Sequence, residues 1–276
     1  MPTLAQKLPY THPFAGGFPY RGSQRLPSDP DALTYLAAVA AADGAPVETA
    51  VAVAVDDFFR GIKADNTFSA IKAACLLCGA RTLAGALVPL VGTAPTNVAD
   101  GFVAGDYTRG GATPGLQGDG TSYLDSGRAP SDGELNDAHL ACYVSAAATS
   151  NTHYKAGAYS IATQQTILRS NFGTFIASVN SGNFAASGGG NAVGLFGASR
   201  FAADSSEFRV AGETTPDSTA SDASSTQNIT IFARNDGTPD GFFDGTIAFY
   251  SIGEALDLEA LDARVTALVT AIGAAV

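Results

Sequence analysis

Cys75-Leu-Leu-Cys78 is a spacing that could do chemistry. A CxxC pair binds zinc when two further ligands join it, and works as a redox couple beside a βαβ pattern. Only Cys142 and the scattered His12, His139 and His153 remain as ligands, and no βα alternation occurs. Both cysteines are therefore expected on the apolar stripe of a helix, as small buried hydrophobes. A catalytic histidine needs an oriented partner. His139 and His153 have none in the sequence and are expected as hydrogen-bonded or surface residues. No G-x-S-x-G elbow occurs. GGGN, residues 188–191, is followed by Val193 where a dinucleotide fingerprint needs glycine, so it is expected as a hairpin. Glu254, Asp257 and Glu259 could supply the two carboxylates of a glycoside hydrolase. They fall at a helix start, where acids complement the helix dipole. DGTPDG, residues 236–241, has Ile247 where a calcium loop needs glutamate, and is expected as a tight turn. The expectation is no catalytic residue, no metal, no cofactor and no enzyme.

Binding chemistry is better represented. Sugar faces stack on aromatic rings, and with no Trp the candidate glycan contacts are Tyr123, Tyr143, Tyr154 and Tyr159. Residues 1–28 hold five prolines, no acid, and Lys7, Arg21 and Arg25. Tyr10, Phe14, Phe18 and Tyr20 punctuate them. Proline at this density excludes helix and central strand, and tails without a partner are poor in aromatics. Tyr10, Phe14, Phe18, Tyr20, Arg21 and Arg25 are thus expected to form an extended docking arm. Near the other end, Leu258, Leu261, Val265, Leu268 and Ile272 advance by 3, 4, 3 and 4, the seam spacing of a coiled coil. The stripe serves either an oligomer seam or a helix laid across its own domain.

The elements that must carry these residues follow from the wider pattern. The chain has 276 residues and a formal net charge of −11, which excludes nucleic-acid and anionic-membrane binding. Charged residues make up 15%, against about 25% in typical domains. Asp supplies 20 of the 26 acids, a bias toward turns and caps over helix surfaces. No apolar run is long enough for a membrane span or a signal peptide, so synthesis in the cytoplasm is expected. Asp29 before Pro30 is a helix start. That helix stops near Gly44, a second carries Val47 to Ile62, and a third carries Phe68, Ile71, Cys75 and Cys78. After Gly92 short alternating strands take over, among them HLACYVS, NITIFAR and TIAFYSIG. The expected fold is α+β, mainly β. Its parts are a docking arm (1–28), a helical adaptor (29–92), an antiparallel jelly-roll sandwich (93–256) and a C-terminal helix (257–276).

Two stretches resemble known families. FFDGTIAFYSIGEALDLEALDARV, with Phe243, Gly245, Ile247, Tyr250, Leu256 and Glu259, resembles the closing signature of concanavalin A-like lectin/glucanase (laminin-G-like) jelly rolls. GLQGDGTSYLDSGRAP, with Gly118, Gly120, Tyr123 and Leu124, resembles their opening. The run from Asp29 to Asn97 is similar to a segment of tailed-phage virion proteins that precedes such a domain. Asp43-Gly44, Gly61, Lys63, Ile71-Lys72-Ala73, Gly79 to Leu83 and Leu87 to Leu90 carry that likeness. The resemblance implies a virion structural protein of tail fibre, tail tip or head surface. Its partners would be other virion proteins, sister subunits such as a trimer, and host-surface glycans. A carbohydrate-binding module or polysaccharide hydrolase, and a capsid cement protein acting as a spacer, are the alternatives.

Overall fold

Asp29 fixes the first helix by two separate contacts. Its carboxylate accepts from the Asp31 and Ala32 N–H groups, capping α1 (Pro30–Asp43), which Gly44 ends in the left-handed region. It also receives Lys63 of α2 (Thr49–Ala64) at 2.6 Å. The computed structural model describes residues 25–98, 101–182 and 185–276. The arm residues Tyr10, Phe14, Phe18, Tyr20 and Arg21 lie outside them. Arg25 lies inside and is paired with Asp56 and Asp57.

The remaining elements in chain order are β1 (Ile71–Leu76), α3 (Leu83–Ala86), β2 (Pro89–Val91), β3 (Thr96–Asn97), β4 (Tyr107–Thr108), β5 (Gly115–Gln117), β6 (Leu124–Asp125), β7 (Ala138–Ala146), β8 (Thr152–Tyr159), β9 (Gln165–Asn171), β10 (Thr174–Ser178), β11 (Ala185–Ser187), β12 (Gly194–Ala202), β13 (Ser205–Val210), β14 (Glu213–Asp217), β15 (Thr230–Ile231), β16 (Arg234–Asn235), β17 (Pro239–Asp240), β18 (Thr246–Gly253) and α4 (Leu258–Ala275). They form two sheets. The first runs β14-β13-β12-β7-β18-β1-β2, with β5 and β4 attached at β18, and the second runs β11-β10-β9-β8-β15-β6-β3. All pairings are antiparallel except the short contact of β16 with β8. This is the antiparallel sandwich with N-terminal helices and a C-terminal helix expected from the sequence.

One core lies between the sheets. Leu140, Cys142, Phe196, Ile247 and Tyr250 of the first sheet meet Ala156, Leu168, Phe175 and Ile231 of the second. The other core lies on the far side of the first sheet, where Ile71, Leu76, Ala141 and Phe249 pack against α1, α2 and α4. The layers are helices, first sheet, second sheet. The two lectin-like motifs meet: the Gly118 N–H donates to the Gly245 carbonyl, and a Cβ at Gly118 would stand 1.9 Å from the Phe243 carbonyl.

Two expectations are corrected. The third helix is absent, because residues 71–76 form a strand paired with β18 and β2. Ala73, Cys75 and Leu77 enter the core between the sheets, while Ile71, Ala74, Leu76 and Cys78 enter the helix-side core. A strand buried on both faces is a continuous apolar run, and over so short a length it satisfies helical spacing as well. The boundary at residue 92 accordingly cuts through the first sheet. The stripe of α4 takes one of the two places expected for it. Leu258, Leu261, Val265, Leu268 and Ile272 are all buried in the chain's own helix-side core, which leaves none of them for a sister subunit.

Asp56 holds the entry to the fold. It is fully buried on α2 and accepts from the N–H groups of Ser28 (2.7 Å) and Asp29 (2.6 Å) and from Arg25 (2.5 Å). Burial alone would raise its pKa, but these donors hold it below the usual carboxylate range. A depressed carboxylate stabilises above its unfolded pKa, and that stabilisation is lost as pH falls through the folded one. Asp56→Ala leaves the buried Asp29 N–H unpaired and is expected to cost about 1–3 kcal/mol. Thermal unfolding at pH 7 checks this, with the exposed Asp57→Ala as the near-neutral control.

Candidate functional site

With helices covering the first sheet, the face that no helix covers is the outer face of the second, where Thr152 is exposed, Tyr159, Arg169 and Asn171 are half-buried and Ile167 is buried. Its composition follows from register. Thr152 stands opposite Asn171, Tyr154 opposite Arg169, Gly157 opposite Ile167 and Tyr159 opposite Gln165. Ile176 of β10 continues the row beside Arg169. A bulge at Lys155 lets Lys155 and Ala156 both turn inward, so Tyr154 and Tyr159 share the outer face.

Two arginines on this face are treated differently. The Arg234 guanidinium lies 4.9 Å from the ring centroids of both Tyr154 and Tyr159. It donates to Asp240 through Nε (3.0 Å) and Nη2 (2.6 Å), and to Asp236 at 3.2 Å. Its charge is neutralised and its pKa is raised; burial opposes the rise, but the Asp240 hydrogen bonds outweigh it. Arg169 lies 5.3 Å from the Tyr154 ring and has no acidic partner among the described residues. Its Nε is buried without any hydrogen-bond acceptor. Beyond it the β9–β10 turn presents Phe172, 77% exposed, at φ +49°. The Phe172 N–H donates to the Asn151 carbonyl at 2.7 Å, which holds the turn. A bulky residue in the left-handed region is an outlier that the surroundings must impose. Beside it the Thr152 hydroxyl meets the Asn171 side chain at 3.0 Å.

Of the four predicted tyrosines, the face brings together Tyr154 and Tyr159. Tyr123 packs near Phe242, 6.3 Å between rings, at the edge of the inter-sheet core. Tyr143 is on the opposite side, on the helix face of the first sheet, in a cleft of about 430 Å³ beside Val269 and Gly273. Sequence reasoning missed Arg169, Phe172 and Arg234. The one available signal was Asn171-Phe172-Gly173, a turn with an aromatic where a polar residue is usual.

The other candidates hold structure. Cys75 and Cys78 are buried on opposite sides of the first sheet, and burial pushes both thiols up. His139 is hydrogen-bonded to the Glu254 carbonyl and to Ser251, and burial lowers its pKa to about 4. Asp257 caps α4, Glu254 pairs with Lys72, and residues 236–241 form the β16–β17 turn region. Among the described residues no group of three or more His, Cys, Asp or Glu could hold a metal, and no helix is long and apolar enough to cross a membrane.

No family model matches the chain, and no curated protein does. Solved structures give similarities of fold. The carbohydrate-binding module CBM40 of Ruminococcus gnavus IT-sialidase, bound to alpha2,3 sialyllactose, is 14% identical over 56% of this chain and 95% of that one, with TM-score 0.40. The botulinum neurotoxin serotype D binding domain is 11% identical over 72% of this chain and 51% of that one, with TM-score 0.43. Domains LG4-5 of the mouse laminin alpha1 chain are 13% identical over 45% of this chain and 37% of that one, with TM-score 0.30.

Beneath the open face, Lys155 joins the core to its loops. It is 1% exposed, with Nζ 4.1 Å from the Phe196 ring centroid. It donates to Ser170 Oγ (2.5 Å) and to the Gly190 carbonyl (3.1 Å), and the Gly190 N–H reaches Gly173 beside Phe172. Burial lowers its pKa to about 7. Between that value and the usual lysine range, the unfolded chain binds a proton the native chain lacks, so this residue makes stability rise with pH. Lys155→Met is expected to be more stable at pH 7 and to lose this contribution. Denaturant midpoints of both chains from pH 7 to 10 check it: their difference should shrink as pH rises.

Proposed function

We propose that the chain is a non-catalytic glycan-binding β-sandwich that takes a carboxylate-bearing sugar on the open face of its second sheet. The observation that carries this reading is Arg169. A half-buried guanidinium with no acidic partner among the described residues is costly unless a ligand completes its charge. A planar carboxylate matches its donor geometry. Phe172 offers an exposed ring for the apolar face of a sugar, and Asn171 and Thr152 offer partners for hydroxyls. Binding is favoured over hydrolysis because the nearby acids, Asp236 and Asp240, are engaged by Arg234 and are not free for proton transfer. The setting we propose is display on a virion surface. The likeness of residues 29–97 to tailed-phage virion segments supports it, and a pure spacer role is the competing outcome.

A glycan array spanning sialylated, uronic and neutral sugars, followed by calorimetry, tests the reading. Binding confined to acidic glycans is expected. Arg169→Ala should lose at least tenfold in affinity, about 1.4 kcal/mol. Phe172→Ala should weaken binding without changing the preference for acidic sugars. Absence of any acidic ligand for the parent chain would leave the spacer role.

A further inference from the structure

The described chain begins at the rim of a groove. Between α2 and α4 lies a cleft of about 210 Å³. Phe58 and Leu268 form its floor, Ala54, Ala267 and Ala271 its walls, and Asp57 part of its rim. Phe58 and Leu268 are nearly fully buried, whereas Ala267 and Ala271 are exposed. The alanines are too small to fill the space between the helices there. Lower down, Arg264 crosses Gly61 to reach Asp65 at 2.7 and 2.9 Å and closes the cleft. The volume is below the roughly 300–1,000 Å³ of small-molecule sites and suits one or two side chains.

Arg25 is fastened to this rim, its Nη2 at 2.5 Å from both Asp56 and Asp57. Ser28 is tied to the same helix through Arg60 and Asp56. Arg25 thus stands beside Asp57, which itself lines the cleft. Phe18-Pro19-Tyr20 stands five to seven residues upstream, a reach of about 17–25 Å. Residues 1–24 contain Lys7 and Arg21 and no acid, in a chain of net charge −11.

We infer that the α2–α4 groove is the docking site of the chain's own N-terminal arm, with Phe18 or Tyr20 seated over Phe58 and Leu268. Arg25 acts as the clamp that sets the arm's direction. The site is an intrachain one, because the clamp holds the arm at the rim and so keeps its local concentration high. The arm's aromatics then complete the helix-side core and do not remain in solvent.

The absence of tryptophan gives a clean test. Phe18→Trp and Tyr20→Trp are made separately in the full chain, each supplying a single indole. At least one is expected to emit at blue-shifted wavelength and to resist acrylamide quenching. Adding Ala267→Asp or Ala271→Asp, both at exposed positions, should return emission to that of a solvated indole while the thermal transition of the sandwich is retained. Solvated emission from both reporters in the parent background overturns the proposal, as does emission that ignores the Asp substitutions. A blue shift that appears only as the mass doubles on light scattering also overturns it, since the groove would then take the arm of a second copy.

Discussion

Burial of the first sheet on both faces is the constraint on which the rest of this structure depends. β1, β7, β12 and β18 send alternate side chains to two cores, and neither set can be left wet. At about 25 cal/mol per Å² of apolar surface, exposing a row such as Ile71, Leu76, Ala141 and Phe249 would forfeit several kcal/mol. The helices are the answer to that row. Phe58 of α2 meets Phe249 edge to face with centroids 5.9 Å apart, and α4 lays its whole apolar stripe on the same surface. Polar contacts then fix position: Asp56 fixes the chain entry, Asp65–Arg264 joins α2 to α4, and the largely buried Arg209–Asp262 pair (2.7 Å) joins β13 to α4. A buried pair of this kind is weak evidence for stability, and its clearer use is to set register.

The function we propose is a consequence of that layering. Once helices occupy one side of the sandwich, the second sheet is the one whose outer face no helix covers. The evidence for a site there is a contrast within one face. Arg234 is held by two aspartates and two tyrosine rings, so its polar requirements are met by the fold. Arg169, on the neighbouring strand and against the same Tyr154, is left without an acceptor at Nε. Folding alone gives no reason to keep a partly buried charge in that state. The tyrosines themselves are less available to a sugar than their chemistry suggested. Tyr154 is 8% exposed and packs against both guanidiniums, so the free aromatic surface belongs to Phe172.

What was legible in the sequence divides along physical lines. Elements with one wet face announced themselves: α1 through its Asp29–Pro30 start and Gly44 stop, α4 through its stripe, and the antiparallel strands through alternation. β1 did not, because a strand with two dry faces loses the period that identifies it. The acids at 254–259 and the 236–241 turn were legible because capping and turn chemistry are local. The site was legible only in part. Tyr154 and Tyr159 converge because a bulge at Lys155 shifts the pleat, and a bulge leaves no mark in composition. Arg169 matters through what it lacks, and an absent partner is a property of three-dimensional surroundings.

The stripe of α4 shows the general limit. A 3-4 apolar spacing states that a helix has a partner surface, and a sister helix and a flat sheet make the same demand on it. What separates the two is the rest of the helix. Ala267 and Ala271 sit just off the stripe, too small to bridge to α2, and the gap they leave is the groove where Arg25 is clamped. A coiled-coil helix would place long charged residues at such flanking positions to pair with its neighbour. Small flanking residues instead admit a narrow segment between two helices of one subunit. The features that made α4 resemble an oligomer seam and the features that make the arm resemble a docking segment thus meet at one place. They point inward, to a helix layer whose remaining gap is side-chain-sized and lies beside Asp57, the partner of Arg25.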